Sequence, residues 1–141
     1  MAKFLSQIPS TTTTDLDLNH YRLTSGFLDL DGSAAPAGIL QDIRITCHSA
    51  SARAALLPSL NALVAQVEAQ ERASGGKGGV LTYMAFESVD DDVGVRILGR
   101  WRERKDMEAF IRREDVLGFW MGAKDKVRGM EQRGYVPNGK G

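Results

Sequence analysis

Apolar and polar positions divide this chain of 141 residues into segments of different period. In "ILQDIRITCH" the alternation puts Ile43, Ile45 and Cys47 on one face and Asp42, Arg44, Thr46 and His48 on the other. That predicts a strand with one covered side. In "SASARAALLPSLNALVAQVEAQERA" the spacing changes to three and four, and Leu56, Leu60, Leu63, Val64 and Val67 form one stripe of a helix. Ser49 or Ser51 can cap its start. Pro58 predicts either a kink or a helix that begins near Leu57 with proline in its first turn. "SGGKGG" ends the helix.

"VLTYMAFES", "VDDD" and "VGVRILGRW" predict a strand, a turn and a returning strand. In the last, Val93, Val95, Ile97, Gly99 and Trp101 share one face, and Arg96, Leu98, Arg100 and Arg102 the other. "ERKDMEAFIRRED" predicts a second helix that buries Met107, Phe110 and Ile111, the irregular "VLGFWMGA" a short helical turn, and "KVRGMEQRGYV" a final strand.

The order β-α-β-β-α-β predicts an α+β, ferredoxin-like fold in which two helices cover one face of a four-stranded antiparallel sheet. The uncovered face is expected to hold Leu81, Tyr83 and Leu98. Apolar side chains there favour a homodimer, whose closed barrel would also protect strand edges. Residues 1–37 differ in composition: "PSTTTT" and "DGSAAPAG" are loop-like, with one short strand or turn expected near Leu23 to Leu30. They predict a loop-rich extension packed on the core or on a partner subunit, with residues 38–141 as the domain proper.

Eighteen basic and eighteen acidic side chains cancel, which gives no reason to expect a nucleic-acid or anionic-membrane partner. Toward the C-terminus the balance tilts basic, a solvated face in the first instance. One cysteine, Cys47, rules out disulfides within the chain, and two histidines, His20 and His48, are too few for a multi-histidine metal centre. No metal site is expected. No signal peptide is expected at the N-terminus and no apolar run suits a membrane span, so the expected location is cytoplasmic. "GGKGG" is not a phosphate loop: it follows a helix, precedes a strand and lacks the downstream Ser or Thr.

"LLPSLNALVAQVEAQE", the glycine break, "GVLTYMAFES" and "ILGRWRERKDMEAFIRREDVLGFW" together resemble antibiotic-biosynthesis-monooxygenase (ABM) domains. These belong to the dimeric α+β-barrel superfamily, and the likeness covers roughly residues 38 to 136. Its best marker is a strand that ends in Trp followed by a polar residue, then a helix with an aromatic near its middle. The resemblance implies a dimeric barrel. It also implies oxygenation of an aromatic polyketide-like or quinol substrate by O₂ with no cofactor, the substrate serving as its own reductant. The superfamily also includes polyketide cyclases and members without known chemistry, so a cyclase or isomerase and a non-catalytic small-ligand-binding dimer are the alternatives. Trp101 matches the family tryptophan, whose indole N–H donates to a substrate oxygen. Where the oxygenases carry an asparagine four residues earlier, this chain has Ile97. No histidine follows His48 and the first strand has no asparagine, which disfavours haem degradation.

The candidate catalytic residues are therefore Trp101, His48 as a general base and Tyr83 as a hydroxyl donor. Phe110, Phe119, Trp120, Ile97 and Met84 are the candidate substrate-binding positions, walls of an apolar pocket. Arg44, Arg96 and Arg100 are weighed as enolate stabilisers and read as solvated or salt-bridged. Glu108, Glu114 and Asp115 read as helix-surface charges.

Overall fold

A computed structural model describes residues 20–27 and 38–135. Strand β1 spans Tyr21–Phe27, β2 Ile39–Cys47, β3 Val80–Ser88, β4 Gly94–Trp101 and β5 Val127–Tyr135. The helices are α1 (Ala50–Ala73), α2 (Arg104–Ile111) and α3 (Glu114–Ala123). The strands form one antiparallel sheet in the order β1-β3-β4-β2-β5, which is the ferredoxin-like order with one strand added at the β3 edge.

The fold class is the one expected, with two additions. In the loop-rich extension, the short strand or turn expected near Leu23 to Leu30 is the strand Tyr21–Phe27, which pairs along β3 as a fifth strand of the same sheet; residues 1–19 and 28–37 lie outside the described residues. "VLGFWMGA", expected to give a short turn, belongs to the ten-residue helix α3. Its acidic first turn, Glu114 and Asp115, faces the positive end of the helix dipole, a local signal that hydrophobic spacing does not carry.

Helix α1 starts at its serine. The Ser49 Oγ accepts from the Ala52 N–H at 3.1 Å, and the helix runs through Pro58 to Ala73. Burial of Leu56, Leu60, Leu63, Val64 and Val67 on the sheet outweighs the backbone hydrogen bond that proline cannot make. The β3–β4 turn is held by Asp91, whose Oδ1 accepts from the Val93 and Gly94 N–H groups at 3.0 and 2.7 Å. Those backbone bonds, Val93 first, keep its carboxyl below its ordinary pKa despite some desolvation.

The main core lies between the sheet and the helices, with Ile43, Ile45 and Cys47 of β2 and Val95, Ile97 and Trp101 of β4 against the α1 stripe. Tyr83 belongs to this core and not to the uncovered face. A register shift between Val80 and Thr82 sets Tyr83 opposite Gly99, on the side of Ile97 and Trp101. Ile111 also departs from expectation: it is 43% exposed, since α2 ends there and turns it outward. On the opposite face Phe86 and Leu98 form a small second cluster with Tyr21 and Met84. Beside it a buried ion pair joins β4 to β2, with Arg96 Nε and Nη2 donating to Asp42 Oδ1 and Oδ2 at 2.8 and 2.7 Å.

Candidate active site

A cavity of about 450 Å³ opens between the sheet and helices α2 and α3. Its apolar walls come from Ile43, Val127 and Met130 on the strands and Phe110, Ile111, Val116 and Trp120 on the helices; Gln41, Tyr83, Gln132 and Lys124 supply the polar lining. This is the size and composition of a small-molecule site, a greasy volume with few polar groups.

Tyr83 is its buried hydroxyl, 3% exposed. The ring meets Phe110 edge-on at a centroid distance of 5.0 Å. Among the described residues its hydroxyl has no hydrogen-bond partner, and unlike the Trp101 Nε1 it is not sealed away from solvent-accessible space. Burial pushes the phenol well above its ordinary pKa, and the nearby Asp115 carboxylate adds to this while Arg113 opposes it. The group is therefore a neutral donor at any physiological pH, and it does not act as a base.

Behind this floor sits Trp101, which is 1% exposed and does not line the cavity. The indole meets Phe110 edge-on at 5.0 Å and Tyr83 at 6.4 Å, and its Nε1 is buried with no partner. A buried indole N–H without an acceptor forfeits a hydrogen bond it would make in water. Tyr83, Gly99 and Gln41 are successive partners in one row across β3, β4 and β2. Two strand spacings put Tyr83 and Gln41 about 10 Å apart along that row, with glycine between them. The benzo edge of the Trp101 indole occupies the space that Gly99 leaves.

The remaining sequence candidates scatter. Phe110 and Trp120 line the cavity beside Tyr83. Phe119 is buried and packs edge-on against Trp120 at 4.9 Å, outside the lining. Ile97 is core. Met84 sits on the far side of the sheet with Phe86 and Leu98, because it is one residue out of phase with Tyr83. His48 is exposed at the end of β2, where its backbone N–H donates to the Lys126 carbonyl, and it does not reach the cavity. Arg96 is committed to Asp42 on the far face.

Sequence reasoning missed Gln41 and the Arg113–Asp115 pair. Gln41 carries a signal, a polar residue in phase with Ile43, Ile45 and Cys47. Asp115, read as a helix-surface charge, is instead gripped by Arg113 from Nε at 3.0 Å and Nη2 at 2.6 Å. Arg113 also donates to Gln70 and stacks 5.4 Å above the Phe110 ring. Desolvation of Asp115 is outweighed by the Arg113 hydrogen bonds and charge, with help from the Val116 N–H, so its carboxyl lies below its ordinary pKa. The pair clamps the start of α3 and the outer side of Phe110.

Among the described residues no three His, Cys, Asp or Glu side chains come together in a metal-binding group, and none of their helices is long and apolar enough to cross a membrane.

No family model matches the sequence, and no curated protein does. Solved structures do. A protein from Pseudomonas aeruginosa, PA3566, aligns with a TM-score of 0.58 at 21% identity over 71% of this chain and 93% of its own. SnoaB, a cofactor-independent oxygenase from Streptomyces nogalater crystallised as a point variant, aligns at 0.54 with 10% identity, over 74% and 96%. A candidate antibiotic biosynthesis monooxygenase from Nitrosomonas europaea aligns at 0.57 with 12% identity, over 73% and 92%. The chain thus has the α+β fold of the ABM proteins.

Proposed function

We propose that this chain is an oxygenase of the ABM type, which uses O₂ without a cofactor on an aromatic polyketide-like or quinol substrate bound in the cavity above Tyr83. The carrying observation is that cavity, an apolar chamber whose floor carries the partnerless, neutral hydroxyl of the buried residue Tyr83. Its fold neighbours include a cofactor-independent oxygenase.

An anthrone illustrates the chemistry. The anthrone gives a ring-methylene proton to solvent as it enters, and the enolate oxygen takes a hydrogen bond from Tyr83, which favours the anion; the peroxide formed later takes a proton back from solvent. The carbanion passes one electron to O₂, the radical and superoxide combine at carbon, and the protonated peroxide loses water to leave a carbonyl. The four electrons that reduce O₂ all come from the CH₂ that becomes C=O, so one O₂ gives one quinone and one water. Apolar walls keep water away from the radical pair, and Gln41 offers a second hydrogen bond toward an oxygen on the far side of a fused ring.

Two other readings stay in view. A cyclase or isomerase built on a His/Tyr pair loses support, because His48 and Tyr83 are not brought together. A non-catalytic ligand-binding dimer keeps the cavity, and Ile97 in place of the family asparagine favours it. We extend the proposal to a homodimer joined through the sheet face that carries Met84, Phe86 and Leu98, which no described helix covers, and to the cytoplasm as its location. Anthrone in an oxygen electrode decides: uptake of about one O₂ per quinone formed, dependent on the protein, is the expected result. Product formation that persists under nitrogen, or binding without uptake, would remove the oxygenase reading.

A further inference from the structure

No carboxylate lines the cavity, and among its lining residues the one formal charge is Lys124, just past the end of α3. A lysine at a helix C-terminus ordinarily serves the open carbonyls there. Here that work is done by Lys126, whose Nζ donates to the Gly122 carbonyl at 3.0 Å and lies 3.5 Å from Asp125. Among the described residues Lys124 has neither an ion-pair nor a hydrogen-bond partner. Tyr83 sits in the floor, whereas Lys124 is exposed at the mouth with Met130 and Ile111.

From this polarity we propose that the site selects a fused-ring aromatic bearing an anionic substituent, a carboxylate above all, with Lys124 reading that group at the mouth while the opposite ring oxygen meets Tyr83. The inference rests on the cavity being the substrate site and goes beyond the reaction: it specifies the substrate class and a specificity-determining residue. An exposed lysine without a partner among the lining residues of an apolar cleft, with no acid in that lining, favours anions both in encounter and in the bound state. It also orients the guest, because the charged end stays where water can reach it and the apolar rings enter first.

The test uses anthraquinone-2-carboxylate and its carboxamide, which differ in charge but little in shape, with binding read by calorimetry. The carboxylate should bind the unaltered protein about 2- to 5-fold more tightly than the amide, the margin of an exposed ion pair. Raising salt should narrow that margin. Lys124→Gln should abolish the preference and leave amide affinity unchanged, whereas Lys124→Arg should retain it. Equal affinity of the two probes, or a preference that survives Lys124→Gln, would overturn the inference. Binding of neither probe would overturn it together with the cavity assignment. Charge-selective binding without oxygen uptake would uphold Lys124 while removing only the oxygenase reading.

Discussion

The indole of Trp101 lies across Gly99, two residues earlier on the same strand, so closely that a Cβ there would overlap Cη2 and come within 2.9 Å of Cζ3. The tryptophan thus fills the gap of a missing side chain in the Tyr83–Gly99–Gln41 row. Gly99 needs no left-handed backbone; its requirement is space alone. Gly99→Ala should cost about 1–3 kcal/mol, the usual range for overpacking a filled core, measured by urea unfolding. Pairing it with Trp101→Phe should recover part of that loss, because the smaller ring leaves room for the methyl. A Gly99→Ala protein as stable as its parent would mean that the indole does not rest there.

Turnover should depend on the Tyr83 hydroxyl. Tyr83→Phe keeps the ring, its edge contact with Phe110 and the shape of the floor, and removes only the donor. Loss of one preorganised donor to a developing oxyanion lowers kcat by about 10²-fold. Anthrone oxidation should fall by that order with little change in unfolding midpoint. Unaltered turnover would take Tyr83 out of the chemistry.

Asp42 and Arg96 are both buried and joined by two hydrogen bonds. Removing one partner of such a pair leaves the other charge stranded, at a cost of about 3–5 kcal/mol. Asp42→Ala should therefore be among the most destabilising single changes in the sheet. Asp42→Leu combined with Arg96→Met should cost much less than Asp42→Ala, because neither member of the pair is left buried without the other; Arg44, 3.8 Å from Asp42, is partly exposed and keeps access to water. Chemical denaturation of the three proteins gives the comparison.

Much of this architecture is legible in residue spacing. The period-two runs of β2 and β4 and the three-four stripe of α1 place Ile43, Ile45, Ile97, Leu56 and Leu60 in the core where the sequence puts them. What escaped was set by register and by tertiary packing. The face on which Tyr83 lies depends on a one-residue shift near Thr82, invisible without the partner strand. Trp101 could be placed at the end of a strand facing the helices, but its seclusion follows from Gly99 and Phe110 closing around it. Asp115 looked like a surface charge because neighbours in a helix's first turn seldom face one another; here Arg113, which the sequence reading does not single out, lies just outside α3 and folds back onto it.

That clamp has an acid signature. The Asp115 carboxyl is held below its ordinary value near 3.8, so its contribution to stability is present above the unfolded pKa and lost as pH falls through the folded one. Asp115→Asn should cost about 1 kcal/mol at pH 7, modest because both side chains remain partly exposed. The gap between the two proteins should begin to close below about pH 4. A difference that stays constant down to pH 2 would show that the charge of Asp115 is not what holds α3.

At the alkaline end the sign reverses and Tyr83 governs. Its folded pKa is raised above the ordinary 10 by burial, so the unfolded chain releases the phenolic proton first. The Tyr83 contribution to stability is complete below pH 10 and declines as pH climbs past it, since ionisation then favours the unfolded state. Tyr83→Phe removes the titration while keeping the ring. Stability of the parent should thus fall more steeply between pH 10 and 11.5 than that of Tyr83→Phe, as followed by urea midpoints in matched buffers. Parallel declines would place the phenol in contact with water or a partner, and the neutral-donor role assigned to it in the cavity floor would fail with that result.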